Sequence, residues 1–182
     1  MKLIEFKSNQ KTPFALKYNL YVFENKITDV NFGDLSKLIL KKEKQILSNT
    51  NNAGDGNTGL GENSLTSRYK HFNVLKWEDE NISKIKKNIV NTYGLLMNTL
   101  GYEKINDLYI QCWANVMRKG EQIKIHQHGV DENSFLGGHI CVQSENTSTH
   151  YLNPITYHAK KDAQIYSSEN EVGKLSLFSN IL

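Results

Sequence analysis

In Gly120-Glu-Gln-Ile-Lys-Ile-His126-Gln-His128-Gly129 apolar and polar residues alternate with a period of two, the pattern of a β-strand. Side chains on a strand point to opposite faces in turn. Ile123 and Ile125 therefore fall on one face, and His126 and His128 on the other. A wall that buries isoleucines on one side and offers two imidazoles on the other suits a double-walled β fold. Two neutral imidazoles on one face can share a metal ion, and they suit Fe, Zn, Ni or Cu better than Mg or Ca. The same spacing is also compatible with two solvent-exposed rings near a strand end.

Outward from this stretch, Tyr109 to Met117, Phe135 to Val142, His150 to Leu152 and Lys174 to Phe178 read as further short strands between polar turns. Upstream the period changes. Asp34 is the expected cap of a helix running to about Ser48, with Leu35, Leu38, Ile39 and Ile46 on one side. A second helix is expected from Glu78 to Leu100, with Gly101 as its stop. Phe14 to Phe23 reads as an early strand. Asn49 to Asn63 is polar and glycine-rich, a long loop of the kind that often covers a binding site.

Helices first and strands afterwards imply segregated layers. The expected fold is mainly β with flanking helices: a double-stranded β-helix (jelly roll), helices packed on one outer face. A single domain is expected over 1–182, with a helical and loop portion over 1–105 and a β-rich core over 106–182.

With 182 residues the chain can bury a core without disulfides or a structural metal. Hydrophobic residues make up 38% and charged residues 23%, a globular balance. Lys plus Arg number 22 against 19 Asp plus Glu, and only Arg68 and Arg118 are arginines. That is too weak a basic excess, and too poor in bidentate donors, for a nucleic-acid signal. No apolar run is long enough for a membrane span, and the N-terminus has no signal-peptide core. Cys112 and Cys141 stand alone and read as reduced thiols, so the expected location is the cytoplasm.

No Ser-His-Asp order, nucleophile elbow, H-E-x-x-H or P-loop is present. His71, His139, His150 and His158 read individually as structural.

Thr58-Gly-Leu-Gly-Glu-Asn-Ser-Leu-Thr-Ser-Arg68, Trp113-Ala-Asn115-Val-Met-Arg-Lys-Gly120, and His126-Gln-His128 followed by Gly137-Gly138 together carry a resemblance. In that order, from about Asp55 onward, the chain resembles phage-encoded 2-oxoglutarate- and Fe(II)-dependent oxygenases related to prolyl hydroxylases. The resemblance implies a jelly roll holding iron at its mouth, with 2-oxoglutarate chelating the metal. It also implies a dioxygenase that hydroxylates a substrate while 2-oxoglutarate is decarboxylated to succinate. His126 would be the first iron ligand, with His128 where most relatives carry a carboxylate, a change that could favour another divalent metal. Trp113 and Asn115, on one strand face, would line the pocket. The substrate, whether peptide, nucleic-acid base or small metabolite, is not indicated. A phage-encoded member would act in the host cytoplasm.

In that family a distal histidine and an arginine follow the strand resembling Gly173 to Phe178. Neither is found before Leu182, so the expectation is a truncated member that binds Fe(II) weakly and turns over slowly. A rival reading is a cupin, with Gly120, His126, His128 and Glu132 close to the first cupin motif and Glu132 as third ligand. A non-catalytic jelly-roll interaction module is the other alternative.

Overall fold

The computed structural model describes residues 1–49, 54–129, 133–158 and 163–182. The chain divides into two compact units, a strand unit of Met1–Thr28 with Gln127–Leu182 and a helical unit of Asp29–His126. Among the described residues 28% are helical and 21% are in strands, and every strand pairing is antiparallel.

The strand unit holds β1 (Lys2–Lys7), β2 (Asn19–Lys26), β3 (Leu136–Ile140), β4 (Ser148–Leu152), β5 (Ile165–Glu169) and β6 (Lys174–Ser179). One sheet has the order β1-β2-β6-β3, and β4 and β5 form a second. Alternation explains which side chains go inward. Phe6, Val22, Tyr151 and Phe178 form a buried cluster against which Ile4, Leu20, Tyr166 and Leu182 pack. Gly137 of β3 lies against this cluster, where a Cβ would come within 2.5 Å of the Phe178 ring. The sheets do not close into a barrel among the described residues.

The helical unit holds α1 (Phe32–Asn49) and α2 (Glu80–Leu100), with 3-10 turns at Thr66–His71 and Val74–Lys76 between them. Asn31, not Asp34, caps α1: its side-chain oxygen accepts from the Asp34 N–H at 3.2 Å, while its amide donates to the Asp34 carboxylate at 2.8 Å. Asp79 caps α2 by accepting from the N–H groups of Asn81 and Ile82. Gly101 ends it in the left-handed conformation, φ 77°. Ile82, Ile85, Thr92, Tyr93 and Leu96 are the buried stripe of α2.

Two expected strands are not strands. Residues 109–117 and 123–128 run extended or bent, without a ladder. Their backbone groups meet irregular partners instead: the Val74 N–H donates to the Cys112 carbonyl, and the Lys124 N–H to the Thr58 carbonyl, each at 2.8 Å. Ile125, expected to be buried, is 66% exposed. The early strand begins at Asn19, leaving Phe14 and Leu16 exposed. No helix among the described residues is long and apolar enough to cross a membrane.

Candidate functional site

The three sequence stretches singled out above meet, in part, inside the helical unit. The first begins at a turn built around Asp55, whose carboxylate accepts from the N–H groups of Asn57, Gly59 and Gly61 at 3.0 Å each. Those bonds, the Gly61 one foremost, hold its carboxyl below the usual range. Gly59 has φ +79°, and a Cβ there would lie 2.9 Å from the Lys124 side chain. The rest of the expected loop, residues 50–53, lies outside the described residues.

From this turn the chain enters the 3-10 segment Thr66–His71, of which Thr66, Ser67 and Arg68 are buried. Thr66 donates its hydroxyl to Oδ1 of Asn115, and the Tyr69 ring packs 5.5 Å from that of Trp113. Gln111 donates to the carbonyls of Tyr69 and Phe72, each at 2.8 Å. Trp113 and Asn115 thus face the same 3-10 segment, although they are not on a strand.

His126 ends the helical unit. Its Nδ1 lies 2.9 Å from the Lys124 carbonyl, and a carbonyl can only accept. Nδ1 therefore carries the hydrogen, and in the neutral ring Nε2 is left with its lone pair. His128 belongs to the strand unit, its ring edge-on to Phe178 at 5.7 Å. His139 packs on the same Phe178 at 6.2 Å and stacks with Tyr151 at 6.1 Å. Burial pushes the His139 imidazole down to about 4, with Lys174 and His128 adding to the effect and Glu24 opposing it. At neutral pH this ring carries no charge. Burial also pushes the Cys112 thiol up to about 11, so it is neither a thiolate nucleophile nor a thiolate ligand near pH 7. Both cysteines are free thiols.

Among the described residues no group of three His, Cys, Asp or Glu side chains is arranged to hold a metal ion. Asp131 and Glu132, the latter the third ligand of the cupin reading, lie outside the described residues.

No family model, no curated protein and no solved structure matches this chain. Function therefore has to be argued from the residues themselves.

A cleft of about 340 Å³ in the helical unit is lined by Glu43, Leu47, Ser64, Val116, Arg118 and Glu121, among others. Its charges answer one another: Arg118 pairs with Glu43 at 2.8 Å, and Glu121 accepts from the Arg118 N–H. The other arginine is different. Arg68 is 7% exposed and makes no ion pair among the described residues. In the sequence Arg68 closes the Thr58–Arg68 stretch and is one of only two arginines, but no binding role was assigned to it there.

Proposed function

We propose that this chain is a 2-oxoglutarate- and Fe(II)-dependent oxygenase, its fold a jelly roll of which the β1-β2-β6-β3 sheet is one wall. One observation carries the reading. Within the helical unit Thr66 of the Thr58–Arg68 stretch bonds to Asn115 of the Trp113–Gly120 stretch, and residues beside the stretches bond as well, Gln111 to Tyr69 and Lys124, two before His126, to Thr58.

The donor chemistry fits Fe(II) as far as it extends. The Lys124 carbonyl accepts from Nδ1–H of His126, which makes Nε2 the ring nitrogen that would face a divalent metal. His128 joins it by the sequence pattern alone. A third protein donor is not among the described residues. When bound, iron and 2-oxoglutarate would supply the oxidising chemistry. The chain's own part is positional. The Lys124 carbonyl sets the His126 tautomer, the 3-10 segment holds Trp113 and Asn115 beside one another, and the protonated Cys112 leaves no competing thiolate.

The test is succinate release from 2-oxoglutarate by the purified chain with Fe(II) and O2, with and without His126. His126→Ala should abolish turnover and weaken Fe(II) binding by more than about tenfold. Metal binding without 2-oxoglutarate consumption would favour the cupin reading. Absence of both would favour the non-catalytic module, and either result overturns the oxygenase.

A further inference from the structure

The helical unit buries a guanidinium that it does not neutralise. Nη1 of Arg68 donates to the Ser64 carbonyl at 3.5 Å and to the Ser67 hydroxyl. Nε, out of contact with solvent, has no acceptor among the described residues. Nor does any described residue accept from Nη2.

The hydroxyls of this stretch give their protons elsewhere, and among the described residues only that of Ser67 accepts from the guanidinium. Thr58 donates to the Asp55 carbonyl, Ser64 to the Gly61 carbonyl, Thr66 to Asn115, and Ser67 to the carbonyls of Glu62 and Ser64. The Asp55 carboxylate is occupied by three backbone N–H groups. A guanidinium stays protonated in a protein, so it cannot escape burial by losing its charge. A buried charge without a partner is strongly unfavourable, and a counter-anion is the remedy.

The geometry says which anion. Nε–H and one Nη2–H lie along one edge of the planar fork, parallel and spaced to meet both oxygens of a carboxylate. Ser64 and Ser67 hold Nη1, which leaves that edge without an acceptor among the described residues. One positive charge matches one carboxylate, the second carboxylate of a dicarboxylate lying outside the fork, whereas a phosphate dianion would bring both its charges to the one guanidinium. Arg118, the other arginine, is engaged by Glu43.

We propose that Arg68 is the binding residue of a small carboxylate ligand, taken side-on by Nε and Nη2. No metal enters this inference, so it does not depend on the oxygenase reading. Under that reading, 2-oxoglutarate is a ligand of the right class.

The chain has only two arginines, so a 15N spectrum of arginine Nε–H groups can be followed directly on the intact protein. Arg118→Lys assigns the two resonances. In EDTA, succinate and 2-oxoglutarate should shift the Arg68 resonance saturably and leave that of Arg118 in place. Inorganic phosphate should bind at least tenfold more weakly. Arg68→Lys should weaken succinate binding at least tenfold by calorimetry, with circular dichroism reporting whether it folds. Should it fail to fold, the wild-type titration decides alone. An unmoved Arg68 resonance at millimolar succinate and 2-oxoglutarate, phosphate binding as tight as succinate, or full binding by a folded Arg68→Lys would each overturn the assignment. Metal-free carboxylate binding without iron-dependent turnover would sink the oxygenase reading and leave this one standing.

Discussion

Glu24 of the strand unit and Arg68 of the helical unit are both buried and are treated in opposite ways, while Glu43, the helical unit's other buried charge among the described residues, pairs with Arg118. In the strand unit Glu24 is 8% exposed, and its carboxylate accepts from the Tyr166 hydroxyl at 3.0 Å and from the Ser168 hydroxyl. Those hydroxyls are themselves supported, Tyr166 by Lys2 at 3.1 Å and Ser168 by Lys174 at 3.2 Å. In the helical unit Arg68 is buried to the same degree, yet one edge of its fork meets no acceptor among the described residues. Strands deliver side chains to one face at fixed intervals, so hydroxyls from β5 can converge on a carboxylate of β2. The hydroxyls around the 3-10 segment instead turn back onto nearby carbonyls, as Ser and Thr do in irregular backbone. A satisfied buried charge holds a fold together; an unsatisfied one marks a place where a ligand completes it.

The largest expected effect tests the satisfied side. Glu24→Ala leaves the Tyr166 and Ser168 hydroxyls without their acceptor, and it should destabilise the protein by about 3 kcal/mol in chemical denaturation. A loss below about 1 kcal/mol would mean that the network is not structural.

Next comes the pH dependence of His139. Its pKa is lowered in the fold to about 4, while the unfolded ring titrates near 6.5. Between those values the unfolded chain binds more protons, so stability rises with pH and is lost as pH falls from about 6.5 toward 4. The loss should be on the order of 1–3 kcal/mol, and His139→Gln should flatten the slope in that window. Asp55, lowered from 3.8, acts only at more acid pH and leaves the window clear.

Arg68→Met sharpens the comparison from the other side. In ligand-free protein it should change stability by no more than about 1 kcal/mol, since an uncompensated buried charge is exchanged for an apolar chain of similar reach. A loss as large as that of Glu24→Ala would show Arg68 to be structural. The smallest effect is expected for Ile125→Ser, within about 0.5 kcal/mol, because that side chain is 66% exposed.

Legibility followed the range of the forces involved. The ends of α2 were visible within a residue or two, because Asp79 and Gly101 act on their own helix. The inner part of β6 was visible as an apolar run, and it lies at the centre of its sheet. Residues 109–117 and 123–128 alternate in the sequence, but among the described residues no strand pairs with them to complete a ladder. At the candidate site, Trp113 and Asn115 were expected to lie together on a strand. They do share a neighbour, but it is the 3-10 segment at Thr66–His71 rather than a sheet. His139 was legible as a residue of a glycine-led strand that reads as structural, and Arg68 as the end of the Thr58–Arg68 stretch, but neither showed what would surround it.

The sequence by itself determined the two helices, the ends of α2 and the unpaired state of the cysteines. Those properties are local or compositional: a helix bonds each N–H four residues back, and side-chain chemistry needs no neighbour to be known. Only the tertiary structure decided which alternating segments became strands, that β1 and β5 joined them, and that Arg68 and His139 were withdrawn from water. A strand's hydrogen bonds and a side chain's solvation both depend on residues far along the chain, so neither can be read where it stands.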